Sequence, residues 1–263
     1  MSARGVALVT GAARGIGREV ALRLADDGFD VAVNDLPGTA ELEDVAQAIE
    51  GKGRKSIHFY GDVSVEQDVV NMIEAVVAAL GSLDVMVANA GILTLQTVLE
   101  VDAATFDRTI NVNVRGVMLC YKHAAKQMIS QGRGGRIIGA TSIAGKKGVP
   151  FLFAYSASKF AVRGMTQSAA AELGKYGITV NAYAPGGTES RMLEALDGHF
   201  VESLGPTGLR DSMASTNPIP RTGVPSDIAN VVSFLASKES TFVTGKIYVQ
   251  VVIDGVLMSW VSS

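Results

Sequence analysis

Residues 6–20 read VALVTGAARGIGREV, an aliphatic run that gives way first to glycines and then to a helical pattern. Val6 to Thr10 reads as a strand buried on both faces, because apolar residues follow one another without alternation. Gly11, Gly15 and Gly17 fall in the turn that follows, and Ile16 to Ala25 carries helical periodicity. Glycines so placed permit a tight turn, a close approach of backbone to ligand and contact between helix and strand, while free N–H groups at the helix start face an anion. A bare turn needs glycine too, so the composition alone says little. The position between strand and helix is what points to a dinucleotide pyrophosphate.

The rhythm continues along the chain. Asp30 to Asn34, Ser56 to Tyr60, Asp84 to Ala88, Arg136 to Ala140, Ile178 to Tyr183 and Ile247 to Ile253 read as strands, with helical patterns such as Ala40 to Ile49 between them. Parallel neighbours need a crossover, and the right-handed crossover is a helix. The expected fold is therefore α/β: a single-domain, Rossmann-type, doubly wound parallel sheet of about seven strands with helices on both faces, over residues 1–263. Gly186 to Pro225 breaks the rhythm around an expected helix, Glu189 to Leu204. Met192, Leu196, Phe200, Leu204 and Met213 give it an apolar underside, so about 187–225 is read as a substrate lid, with a surface excursion or subunit contact as the alternative.

Of the 263 residues, 48% are hydrophobic and 19% charged, which suits a buried sheet and excludes disordered and fibrous classes. A net charge of −3 without a long Lys/Arg run offers no field for phosphate backbones, so no nucleic-acid partner is expected. Cys120 is the only cysteine, which rules out an intrachain disulfide or a cysteine-based zinc cluster, and no metal is expected. The start MSARGVALVT lacks a signal-peptide core and no apolar run reaches spanning length, so a cytoplasmic protein without a membrane partner is expected. His58, His123 and His199 are scattered and read as structural.

Asp35 ends the second strand, eighteen residues past Gly17, where a carboxylate accepts hydrogen bonds from adenosine ribose hydroxyls and repels a 2′-phosphate. It favours NAD. Arg14 argues the other way, since a guanidinium beside the turn can pair with that phosphate, so NADP stays open.

The chain resembles the short-chain dehydrogenase/reductase family over almost its whole length. The resemblance rests on TGAARGIG at Thr10 to Gly17, Asp62-Val63, NAG at Asn89 to Gly91, NVRG at Asn113 to Gly116, Ser142, YSASK at Tyr155 to Lys159 and PGGT at Pro185 to Thr188. It implies cofactor contacts from Gly11, Arg14, Gly15, Ile16, Gly17 and Asp35 at the turn, and from Asp62 and Val63 beside the adenine. It implies others from Asn89, Ala90 and Gly91 in the cofactor wall, from Tyr155 and Lys159, and from Pro185, Gly186 and Thr188 near the nicotinamide. Asn89 and Gly91 also suit a purely structural role in the sheet.

The resemblance also implies a catalytic tetrad of Asn113, Ser142, Tyr155 and Lys159. Residues four apart share a helix face, so Tyr155 and Lys159 are expected to point together into the crevice at the strand ends. A phenol with a pKa of about 10 is a poor acid or base near neutrality, and the Lys159 ammonium is expected to lower it. Ser142 would donate to the substrate oxygen, Asn113 would fix a water linking Lys159 to solvent, and Ser156 and Ser158 would only cap or pack.

Ile92, Leu93, Ile143, Phe151, Leu152, Gly187, Met192 and Leu196, with Gly186, are the expected substrate pocket. They are apolar and suit a small uncharged ketone, diketone or secondary alcohol, up to cyclic or terpenoid size, while nearby Lys146 keeps an acidic or acyl-carrier-linked substrate open. YSASKFAVRGMTQSAAAELGKYGITVNAYAPGG, residues 155–187, resembles acetoin/diacetyl reductases, also called butanediol dehydrogenases. The expected activity is an NAD(P)(H)-dependent alcohol dehydrogenase or ketoreductase; a dehydratase or epimerase and a non-catalytic sensor are the alternatives. The family's habit implies a homotetramer or homodimer. The ending KIYVQVVIDGVLMSW departs from the family pattern, with Val256 in place of a glycine, which unsettles that assembly; Met258 and Trp260 suit either packing across a two-fold axis or closing the sheet edge.

Overall fold

All five residues of Val6–Thr10 (β1) are buried, as expected of a central parallel strand. The computed structural model describes residues 3–204, 210–211, 214 and 217–250. Around β1 stand Asp30–Asp35 (β2), Ser56–Tyr60 (β3), Val85–Ala88 (β4), Gly135–Ala140 (β5), Ile178–Pro185 (β6) and Ile247–Gln250 (β7). They form one seven-stranded sheet in the order β3-β2-β1-β4-β5-β6-β7, every pair parallel. The expected strands are all found with ends shifted by a residue or two; the reading of 251–253 as strand lies outside the described residues.

The helices are Gly15–Asp26 (α1), Glu41–Gly51 (α2), Glu66–Leu80 (α3), Ala103–Ile110 (α4), Val117–Gln131 (α5), Phe153–Leu173 (α6), Arg191–Leu204 (α7) and Pro225–Ala236 (α8). A π-helical segment, Asn111–Gly116, joins α4 to α5. The expected helix after β6 begins at Arg191 and not at Glu189, because Ser190 caps it: its hydroxyl oxygen accepts from the Leu193 N–H at 3.2 Å.

Alternate residues of each strand feed opposite layers. Ala7, Val9, Val31, Val33 and Val87 pack under Leu24, Leu42, Ile49, Val232 and Leu235 of α1, α2 and α8. Val6, Leu8, Met86, Ile137 and Val180 pack on the other side against Met72, Val76, Leu119, Met128 and Val162 of α3, α5 and α6. The order in which successive strands are added reverses between β1 and β4, and the carboxyl ends there open a crevice. Among the described residues no helix is long and apolar enough to cross a membrane.

Candidate active site

The crevice is a cavity of about 710 Å³ running from the β1 turn to the start of α7. At one end Gly11 and Gly15 hold φ of +62° and +54°, and an added Cβ on Gly17 would fall on the Gly11 carbonyl oxygen. Only glycine fits this cradle, and the first turn of α1 turns its N–H groups toward the space above it. Asn89 holds the turn in place: its amide nitrogen donates to the carbonyls of Thr10 at 2.9 Å and Gly11 at 3.0 Å, and its oxygen accepts from the Tyr183 hydroxyl at 2.7 Å. Asn89 thus both lines the cavity and locks β1, β4 and β6 together. The two readings of that residue are compatible.

Asp35 stands at the end of β2 with its carboxylate turned back to the glycine turn. One oxygen accepts from the Ala13 N–H at 3.1 Å and the other from the Leu36 N–H at 2.9 Å. Arg14, Asp62, Val63, Ala90, Pro185, Gly186 and Thr188 also line the cavity, with Thr188 buried. A glycine cradle, a helix N-terminus and a ribose-level carboxylate form a donor and acceptor set that fits a nicotinamide dinucleotide.

At the other end Ser142, Tyr155 and Lys159 come together, each buried. Lys159 Nζ lies 5.4 Å from the centroid of the Tyr155 ring and donates to the Ala140 carbonyl at 2.9 Å. Thr141 anchors this part of α6 to the end of β5 by donating to the Lys159 carbonyl at 2.8 Å. Ser142 caps the short turn after β5, accepting from the Ala144 N–H at 3.2 Å. Burial pushes the Tyr155 phenol up to about 12, a rise that a hydrogen bond with Ser142 only partly opposes. Burial also lowers the Lys159 ammonium to about 8. In the protein alone the phenol thus lies above its ordinary range, with desolvation as the largest cause.

Asn113 is fully buried in the π-helical segment and does not line the cavity. Its side chain accepts from the Ile92 N–H at 2.8 Å and donates to the Ile92 carbonyl at 2.8 Å and to Ser158 Oγ at 3.1 Å. The side chain thus fixes the segment after β4 that carries Gly91, and ties it to α6 through Ser158. An added Cβ at Gly91 would lie 3.2 Å from Asn113 Oδ1 and 3.5 Å from Lys159 Nζ. Ser158 does more than pack, since it also donates to the Tyr155 carbonyl at 2.6 Å and so joins Asn113 to the Tyr155 turn.

Ile92, Leu93, Ile143, Leu152, Gly187, Met192 and Leu196 line the cavity as expected. Phe151 does not. It is partly exposed at φ +63°, and its carbonyl accepts from the Gln96 N–H at 2.8 Å, which turns Leu152 inward and Phe151 outward. Leu152, Ala144 and Tyr155 pack with Leu93, Leu95, Val149 and Leu196 into an apolar cluster. Lys146 and Lys147 are not among the lining residues. The side chains of Phe200 and Leu204, and all of Met213, Met258 and Trp260, lie outside what is described.

Sequence reasoning missed the α4 side of the cavity. Ala104, Asp107, Arg108 and Asn111 line it at spacings of three, one and three, a single helix face that periodicity could have found. It also missed Tyr183 and Arg191.

A winding reversal over a glycine turn, with a Ser, Tyr and Lys converging at the far end of one crevice, defines a dinucleotide-fold oxidoreductase type of site. The chain belongs to the short chain dehydrogenase family, whose model matches residues 5–199. It is 53% identical over 244 residues to a short-chain dehydrogenase/reductase of Armillaria gallica, covering 92% of each chain. It is 39% identical to a diacetyl reductase, (S)-acetoin forming, of Staphylococcus epidermidis, covering 91% of this chain and 94% of that one. Carveol dehydrogenase from Mycobacterium avium in complex with NAD superposes with a TM-score of 0.88 at 32% identity, covering 94% of this chain and 96% of that one.

Proposed function

We propose that this chain is an NAD(P)(H)-dependent oxidoreductase, with NAD preferred, that interconverts a small uncharged ketone and its secondary alcohol. The observation that carries the reading is the meeting of Ser142, Tyr155 and Lys159 in the same crevice as the Gly11–Gly17 cradle. A bound nicotinamide would supply or accept the hydride. Ser142 holds the substrate oxygen by hydrogen bonding, and Tyr155 gives that oxygen its proton during reduction. A phenol with a pKa near 12 is fully protonated at neutral pH, which suits it as the acid of ketone reduction. Oxidation needs the phenolate and is therefore favoured by alkaline pH.

Asp35 supports the preference for NAD, because a carboxylate at the end of β2 beside the glycine turn would accept from ribose hydroxyls and repel a 2′-phosphate. The substrate class is read from the apolar side chains of Leu93, Val149, Leu152 and Leu196 that pack around Tyr155. Among the described residues the cations lining the cavity are Arg14, Arg108, Lys159 and Arg191. The likeness to a diacetyl reductase and to carveol dehydrogenase agrees with this class. The segment from Gly187 into α7 is read as the beginning of a substrate lid, a reading supported by Met192 and Leu196, which line the cavity.

Nicotinamide absorbance followed with a panel of diketones, cyclic ketones, their alcohols and 3-oxo acids tests the reading. Turnover confined to uncharged carbonyls is expected. Turnover of the acids alone, or tight NADH binding without any turnover, would overturn it.

A further inference from the structure

Two helix N-termini come close together at the cofactor end of the crevice. That of α1 opens at the glycine turn, and that of α7 opens at Arg191 behind the Ser190 cap. They are close: an added Cβ at Gly15 would stand 3.9 Å from Ser190 Cβ. Arg191 and Arg14 both line the cavity there, so two partly positive helix ends and two guanidiniums surround one space. In the protein alone the Arg191 guanidinium is engaged with Glu41, at the start of α2, Nη2 to Oε1 at 3.3 Å.

That engagement is easily exchanged. The two side chains are 66% and 45% exposed, so their attraction is weak and screened. Glu41 also has another holder: its carboxyl lies below the usual range chiefly through the backbone N–H at the head of α2, with Arg191 and then Arg14 contributing less. Moving Arg191 away leaves that carboxylate supported. A diphosphate held at this end of the crevice would present Arg191 with two negative charges and several phosphate oxygens able to accept in pairs, against the single charge of a carboxylate.

We propose that Arg191 is a diphosphate-binding residue that Glu41 parks on the rim of the crevice, and that the cofactor takes Arg191 from Glu41 on binding. The proposal rests on the dinucleotide reading above. It adds a competitor built into the fold, which sets affinity through the diphosphate whatever the substrate. It also ties α7, the first element of the lid, to the cofactor.

Titrating NADH by its own fluorescence, without substrate, tests this on the full chain. Arg191→Gln is expected to weaken NADH binding about tenfold, as for a lost hydrogen bond to a charged group. It is also expected to flatten the dependence of log Kd on log salt. Glu41→Gln is expected to tighten binding about two- to fivefold by freeing Arg191. In the double variant Glu41→Gln should confer nothing beyond Arg191→Gln. Both residues are exposed, and circular dichroism checks that each variant folds. NADH affinity in Arg191→Gln within twofold of the parent, or no tightening in Glu41→Gln, overturns the proposal and leaves the oxidoreductase reading standing. A parent protein that binds neither NADH nor NADPH overturns both.

Discussion

Lys159 Nζ sits 5.4 Å from the centre of the Tyr155 ring, yet its hydrogen bond goes to the Ala140 carbonyl at 2.9 Å. The ammonium is thus fixed to the end of β5 and bears on the phenol through space. Tyr155→Phe keeps the ring, its burial and its packing in the apolar cluster while removing the only proton donor that the ring offers. Turnover is expected to fall by about 10²–10⁴ with NADH affinity near normal, as for a lost general acid. Steady-state rates beside an NADH titration check this, and retained turnover would remove Tyr155 from the reaction.

Asp35 holds two backbone N–H groups, those of Ala13 and Leu36, and carries a negative charge at the end of β2 beside the glycine turn. Asp35→Ser keeps one acceptor and removes the charge that repels a 2′-phosphate, with Arg14 beside the turn to receive it. The ratio of kcat/KM for NADH over NADPH is expected to fall by about tenfold or more, a loss of over 1 kcal/mol of discrimination. A parent enzyme that already prefers NADPH would show that Arg14 outweighs Asp35.

The sheet was legible because buried parallel strands are continuous apolar runs that glycine and polar residues punctuate, as at Val6–Thr10 and Ile178–Pro185. The cradle was legible because steric demands leave glycine alone at Gly11 and Gly17. What escaped depended on packing between distant segments. Ser158 meets Asn113 across 45 positions only because the π-helical segment lies against α6. Phe151 was misread because it sits in a left-handed turn, φ +63°, beside the bridge between Gln96 and Leu152, a local geometry that spacing along the chain does not reveal. The raised Tyr155 pKa was missed because burial, unlike spacing, cannot be counted along a chain.

Lys159 makes stability depend on alkaline pH. Below about pH 8 folded and unfolded chains both carry its proton, and the folded state bears the whole cost of the buried charge. Between about 8 and the ordinary 10.5 the folded chain has released the proton and the unfolded chain has not, so stability rises with pH. The gain is on the order of 3 kcal/mol. From the ordinary 10.0 toward about 12 Tyr155 acts in reverse, because the folded chain keeps a proton that the unfolded chain has lost. Urea unfolding at pH 7 to 10 should show the rise in the parent and a flatter profile in Lys159→Met. Equal slopes in both would assign the effect elsewhere.

Glu66 governs the opposite end of the pH scale. At the head of α3 its Oε1 accepts from Lys122 Nζ at 2.7 Å and lies 2.8 Å from His123 Nε2, both on α5. The hydrogen bond from Lys122, then that from His123, draws its carboxyl from the ordinary 4.5 to about 2. The folded chain therefore holds the carboxylate where the unfolded chain is protonated, so this contribution is complete above about 4.5 and is lost as pH falls toward 2. The group is 43% exposed, so the effect is modest and weakens with salt. Glu66→Gln is expected to unfold at lower urea than the parent at pH 7 in low salt, with the gap closing as pH falls from 4.5 toward 2. A gap that stays constant over that range, or that is unaffected by salt, would mean that Glu66 acts through packing and not through its charge.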